Sequence, residues 1–137
     1  MIRPAICFLT VSACLFFFTG AEAALLNDVH SRLNPTEVEE VYYPDTPEEI
    51  ARIVHEAKVK GKSISISGGR HAMGGQQFGE GTLHLSLAKM NDILFFDAQK
   101  GIVRVEAGIE WPKLVEYLIK EQEGVEKQWG IVQKQTG

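Results

Sequence analysis

Apolar positions recur along this chain with two different periods. Ile50, Ile53, Val54 and Ala57 are spaced i, i+3, i+4, i+7, which is one face of a helix. The ends of that helix are marked: Thr46 suits the N-cap, Pro47 the first helical position, and Glu48 and Glu49 the positive end of the helix dipole. Lys58 and Lys60 close the last turn and Gly61 ends it. Period two takes over afterwards. Ile64 and Ile66 alternate with serines over 63–67, so a strand is expected with both isoleucines on one face. Leu83, Leu85 and Leu87 alternate with His84 and Ser86 in a second half-buried strand. Ile93 to Phe96 and Ile102 to Glu106 read as two more strands around the turn 97–101. Pro112 opens a second helix, ended by Gly124, in which Leu114, Val115, Leu118 and Ile119 share a face. Upstream, Val41-Tyr42-Tyr43 forms a short strand stopped by Pro44, and residues 24–40 are polar and mixed, an N-terminal arm with a little helix. The order is strand, helix, strand, loop, three strands, helix: a mixed α/β domain.

The first 23 residues follow a different logic. Arg3 gives a positive start, Ala5 to Phe18 is an apolar run, Thr19-Gly20 breaks it, and Ala21-Glu22-Ala23 is an A-x-A cleavage site. This is the pattern of a secretory signal peptide over residues 1–23, and it places the protein outside the cytoplasm, periplasmic or secreted. The alternative is retention of the run as an N-terminal membrane anchor. Both cysteines, Cys7 and Cys14, lie in this leader, so residues 24–137 hold no disulfide, thiolate metal site or cysteine nucleophile. The net charge of −4, without blocks of like charge, argues against nucleic acid as a partner.

The candidate chemistry sits between the two period-two strands. Ser67-Gly68-Gly69-Arg70-His71-Ala72-Met73-Gly74-Gly75-Gln76 places four glycines in ten residues directly after a strand. Such a loop lets backbone N–H groups approach an anion closely. A Walker A loop is excluded, because Gly75-Gln76 stands where its lysine and hydroxyl residue belong. A Rossmann fingerprint is excluded too: no G-x-G-x-x-G occurs, and the loop leads to a strand rather than a helix.

A third pattern fits. Pro44-Asp45-Thr46-Pro47-Glu48-Glu49, the strand Ile64-Ser65-Ile66, the loop Gly68-Gly69-Arg70-His71-Ala72-Met73-Gly74-Gly75, the segment Leu85 to Met90, and Val103 to Trp111 (V-x-V-x-A-G-x-x-W) stand in family order. Together they resemble the PCMH-type FAD-binding domain of the vanillyl-alcohol-oxidase-like flavoproteins. The resemblance covers most of residues 41–137, read as the first part of that domain, which is C-terminally incomplete because the chain stops on Thr136-Gly137.

The resemblance implies FAD as cofactor, with the backbone of Ser67, Gly68, Gly69, Arg70, His71, Ala72, Met73, Gly74, Gly75 and Gln76 around its pyrophosphate. His71 falls where many members attach the flavin 8α-methyl covalently, which raises the flavin's oxidising power and prevents its loss outside the cytoplasm. A noncovalent contact, or no role, are the alternatives. Ala72 stands where the family often has serine, which removes one hydroxyl from the loop. Arg70 either neutralises phosphate or is a solvent-exposed arginine. His84 is expected on the outer face of its strand, His30 and His55 carry no signal, and Trp111 and Trp129 suit core or interface positions. The implied function is an FAD-dependent oxidoreductase that takes a hydride from a small alcohol, sugar, amine or hydroxy acid and passes electrons to O₂ or another acceptor. Its catalytic side chains are not identifiable here. The alternatives are a truncated, catalytically inactive FAD-binding fragment and an exported α/β binding protein without flavin.

Overall fold

The computed structural model describes residues 23–132. The leader expected over residues 1–23, Ala23 apart, and the end at Thr136-Gly137 lie outside the described residues. Seven strands and two helices follow in the order β1 (Ala24–Leu26), β2 (Thr36–Val38), β3 (Glu40–Tyr42), α1 (Pro47–Lys60), β4 (Ile64–Ser67), β5 (Leu83–Ser86), β6 (Ile93–Asp97), β7 (Ile102–Val105), α2 (Trp111–Glu121). A single 3₁₀ turn, Leu87–Lys89, links β5 to the segment before β6.

The expected α/β order is present from β3 onward. β3, β5 and β4 form a parallel sheet with β5 in the centre. β6 and β7 form an antiparallel ribbon with an irregularity between Ile93 and Phe95. The segment 24–40 is a correction. It holds no helix: β1 and β2 pair antiparallel, Ala24 opposite Val38 and Leu26 opposite Thr36. Leu26 and Val38 are buried there, so two apolar residues in an otherwise polar segment suffice to fold it onto the domain.

Helix α1 begins and ends as its sequence requires. Thr46 Oγ1 accepts the Glu49 N–H at 3.2 Å, while Glu49 Oε2 accepts the Asp45 N–H at 3.0 Å. A cap of this kind contributes about 1 kcal/mol. Gly61 takes the left-handed conformation, φ 64°, and its N–H returns to the last turn. The buried stripes are narrower than the periodicity suggests. Ile53 and Ala57 are buried in α1, and Leu114 and Leu118 in α2, whereas Val54, Val115 and Ile119 are exposed.

The core centres on β5, where Leu83 and Leu85 are buried to one side of the sheet. Each such side chain stabilises the fold by about 1.5–3 kcal/mol. His84 and Ser86 point to the other side. Here the expectation of an outward-facing His84 fails: the residue is 1% exposed. A central parallel strand is covered on both faces, and the second face is roofed by the returning glycine loop, with the Phe78 ring 5.3 Å from the His84 ring. The neighbouring strand keeps the expected alternation. Ile64 and Ile66 do share a face, but Ile66 is 53% exposed while Ser67 is buried, because the serines of β4 are the residues that meet His84. Among the described residues, no helix is long and apolar enough to cross a membrane.

Candidate functional site

Strands β3, β4 and β5 run parallel, so their C-terminal ends lie along one edge of the sheet. Open α/β sheets bind ligands at that edge. A cavity of about 270 Å³ occupies it here. Its walls come from the residues that follow each strand: Tyr43 after β3, Gly68, Gly69 and Arg70 after β4, and Ala88 after β5. Glu110, just before α2, closes another side.

The connection from β4 to β5 is the whole stretch Gly68–Thr82, with no helix or strand in it. Connections this long without regular structure are uncommon inside a domain and are usually functional. Two glycines sit where a side chain would crowd its neighbours. A methyl group on Gly69 would stand 2.6 Å from His71 Nε2 and 2.9 Å from Glu110 Oε1. A methyl on Gly108 would meet the Leu87 carbonyl oxygen at 1.8 Å, and the Gly108 N–H already donates to Met90 O at 2.8 Å. The Ala-Gly pair after β7 therefore locks against the 3₁₀ turn after β5, and Gly68 packs 3.6 Å (measured from its ideal Cβ position) from Ala107 O. Arg70 adopts φ 59°, a left-handed conformation that non-glycine residues seldom take and that marks a constrained site.

The N-terminal segment holds this loop in place. Val29 N–H donates to Arg70 O at 3.1 Å. Asn34 Nδ2 donates to Met73 O at 2.6 Å, and Ser31 Oγ lies 3.3 Å from the same oxygen. His30 Nε2 lies 2.9 Å from His71 Nδ1. The turn that carries these groups is built on Asp28, 2% exposed. Its carboxylate accepts the N–H groups of His30, Ser31 and Arg32 and the Ser31 hydroxyl. Burial pushes the Asp28 carboxyl up, but the Ser31 hydroxyl and these backbone donors outweigh it and hold the group at about 2. Neither Asp28 nor His30 stood out in the sequence; the only legible signal was that Asp28, Ser31 and Asn34 are all turn-forming residue types.

Under the loop runs a chain of hydrogen bonds whose direction is fixed at one end. Thr82 Oγ1 is 2.7 Å from Gly79 O, and a carbonyl can only accept. Thr82 therefore spends its proton there and accepts from Ser65, 2.7 Å away. Ser65 in turn accepts from His84 Nδ1 at 2.9 Å, so His84 carries its proton on Nδ1. Nε2 then accepts the Ser67 hydroxyl at 2.8 Å. The ring is neutral and satisfied on both sides. Burial, and secondarily the Arg70 guanidinium, push its pKa down.

Three buried side-chain polar atoms lack any partner among the described residues: His71 Nε2 and both amide atoms of Gln77. All three lie in the glycine loop. Buried polar groups are almost always paired, and leaving one unmade costs about 1–3 kcal/mol. Their concentration in one loop shows that the fold's own packing leaves this loop incompletely satisfied. Gln77 was not among the residues singled out from the sequence, because the glycine pattern ends at Gln76.

A family profile described as the FAD binding domain matches residues 38–136, most of the chain. The chain belongs to the FAD-binding domain family. The fold agrees. An alkyldihydroxyacetonephosphate synthase structure superposes with a TM-score of 0.56 and 23% identity, over 63% of this chain and 16% of that one. CrmK, a flavoenzyme involved in shunt product recycling in caerulomycin biosynthesis, gives 0.54 and 22%, over 64% of this chain and 18% of its own. GilR, an oxidoreductase that catalyses the terminal step of gilvocarcin biosynthesis, gives 0.52 and 22%, over 63% and 18%. No curated protein is significantly similar in sequence. The chain spans less than a fifth of the length of these solved proteins. FAD is thus the cofactor of this α/β fold, and the residues at the sheet edge suit part of it. Gly68, Gly69 and Arg70 line the cavity there, and His71 Nε2 is buried without a partner among the described residues.

Proposed function

We propose that the chain is the FAD-binding part of an exported FAD-dependent oxidoreductase. Residues Ser67 to Gln76 hold the FAD pyrophosphate, and His71 is the attachment point of the flavin through its 8α-carbon. The observation that carries this reading is the orphaned Nε2 of His71, buried in a glycine loop at the C-terminal edge of a parallel sheet. When bound, the flavin supplies hydride acceptance from a small alcohol, sugar, amine or hydroxy acid, and electron transfer to O₂ or another acceptor. The protein's own contribution is to bind and orient. Gly69 keeps the space beside His71 open, Arg70 balances phosphate charge, and the Asp28 turn keeps the loop closed on the domain. The leader over residues 1–23 carries the protein out of the cytoplasm, and a tethered flavin suits that destination because it is not diluted away.

The test is acid precipitation after production with FAD. Flavin colour and fluorescence that stay with the denatured protein, and that disappear in His71→Ala, support the tether. Flavin that binds the native protein but washes out of the pellet replaces the tether with a noncovalent contact. A native protein with no affinity for FAD overturns the proposal. Oxygen consumption by the full-length enzyme against a panel of alcohols, sugars, amines and hydroxy acids then identifies the substrate class.

A further inference from the structure

The buried ring of His84 carries an inference about protons and cofactor binding. It rests on the reading of the glycine loop as the site of the FAD pyrophosphate. His84 is 1% exposed, yet it forms part of the wall of the cavity at the sheet edge. Both ring nitrogens are engaged: Nδ1 meets Ser65 Oγ at 2.9 Å and Nε2 meets Ser67 Oγ at 2.8 Å. A serine hydroxyl donates or accepts, so a ring that gains a proton keeps both partners. At Nδ1 the ring is already the donor. At Nε2 the ring becomes the donor, Ser67 Oγ accepts, and the Ser67 hydroxyl proton is freed for another acceptor. Ser67 stands directly before Gly68 and Gly69, which line the same cavity. Hydrogen bonding therefore permits the imidazolium, and what the charged ring lacks is a counter-charge.

The charged and titratable groups that share the cavity with His84 are Arg70 from the loop, Glu110 from before α2 and Tyr43 from after β3. The flanking strands bring no charge to the ring. β4 offers Ser65 and Ser67, and β3 places Val41 in register with it. Phe78 covers it from the loop. Burial, and then the Arg70 guanidinium, disfavour the charged ring. An anion against Gly68, Gly69 and Arg70 reverses both causes: it neutralises Arg70 and supplies the negative charge that a buried imidazolium needs. We propose that His84 is a proton-linked part of the anion site: a diphosphate bound there draws one proton from solvent onto His84 Nε2, so that FAD binds more tightly as pH falls. The balance is one proton taken up with each FAD, and no bond to carbon or phosphorus changes. The diphosphate of FAD is esterified at both ends and has no group that titrates near neutral pH, so a proton taken up there belongs to the protein.

Calorimetric titration with FAD, in two buffers of different ionisation enthalpy, counts the protons taken up. The full chain carrying His71→Ala is used, so that binding stays reversible and the loop histidine adds no titration of its own, and the unsubstituted chain is run beside it. Net uptake is expected on the acid side of neutrality. Affinity should rise by up to about tenfold for each pH unit lowered, the limit for a single proton. His84→Gln keeps a hydrogen-bonding side chain that does not titrate, and its affinity for FAD should be independent of pH. Glu110→Gln should keep the uptake. Binding without uptake overturns the inference and leaves the pyrophosphate reading standing. So does uptake that survives His84→Gln or vanishes in Glu110→Gln. A failure of both chains to bind FAD overturns the inference and the pyrophosphate reading together. A second measurement needs no variant at position 84: the ¹⁵N shifts of the His84 ring nitrogens, followed against pH with and without saturating FAD. The midpoint should rise when FAD is present, and an unchanged or lowered midpoint overturns the assignment.

Discussion

Ser67→Ala tests the directed hydrogen-bond chain under the glycine loop. The substitution removes the only donor to His84 Nε2 among the described residues, in a ring that is 1% exposed. Nothing replaces it: Ser65 is already committed to Nδ1, and the other face of the ring is covered by Phe78. The loss is that of a buried acceptor left unmade, about 1–3 kcal/mol, rather than the smaller net value of an exchanged bond. The serine hydroxyl is small, so the added cavity term is minor. Equilibrium urea unfolding at pH 7.5 reads the effect as a lower midpoint at unchanged slope. The double variant Ser67→Ala/His84→Leu should recover part of the loss, because removing both partners is far less costly than removing one. The same network sets a pH dependence. His84 has a folded-state pKa pushed below the usual 6.5, so the unfolded chain binds more protons just below that value. The stability contribution is complete above pH 6.5 and is lost as pH falls toward the folded-state pKa. One group limits the slope to about 1.4 kcal/mol per pH unit, and His84→Leu should flatten it. A Ser67→Ala protein with an unchanged midpoint would show that His84 Nε2 has another partner, and the derived tautomer would fall with it.

Three further outcomes follow from the same geometry. Gly108→Ala places a methyl 1.8 Å from a backbone oxygen that cannot swing away, so a destabilisation of at least about 3 kcal/mol is expected by urea unfolding; a neutral substitution would contradict the close packing of the Ala107-Gly108 segment on the 3₁₀ turn. Gly69→Ala meets only side-chain ends, which can move, so its melting temperature should stay near native while FAD affinity, measured by fluorescence titration, falls at least about tenfold. Asp28→Asn should remove part of the acid sensitivity: with a folded value of about 2 against 3.8 unfolded, the wild-type carboxylate contributes stability above pH 3.8 that is lost as pH falls through 2, and the variant's urea midpoint should vary less over that range.

The regular elements were legible where side-chain chemistry acts over one or two turns. Thr46, Pro47 and Gly61 announce both ends of α1, and each does in the structure what its residue type does best. The glycine loop was legible for a similar reason, since close approach needs a missing Cβ. Burial of polar residues was not. His84 looks like the outward member of an alternating strand, and only the return of residues 68–82 over that face, with two serines opposite, makes it interior. The N-terminal segment was misread because its strands are three residues each and its binding groups are ordinary turn residues. No local pattern reveals that Val29, His30, Ser31 and Asn34 meet a loop some 40 positions downstream.

That long-range contact changes what the loop can be. A glycine-rich segment has high conformational entropy, and glycine loses more of it on folding than any other residue. Here the loss is met from outside the loop, by three hydrogen bonds from residues 29–34 and by the packing of Gly68 on Ala107. The loop is therefore ordered before any ligand arrives, while His71 Nε2 and the Gln77 amide remain unpaired inside it. Preorganisation with unmet polar groups is the combination that turns cofactor binding into stabilisation: little ordering cost remains, and each orphan that finds a partner returns about 1–3 kcal/mol. Binding and folding are then linked, with a gain that grows as the logarithm of free FAD over its dissociation constant. The same argument separates the two roles of the N-terminal segment. Asp28 acts through the shape of the turn and should govern stability with or without flavin. His30 meets the loop through a single ring contact, 2.9 Å from His71 Nδ1, and its loss should leave the fold intact.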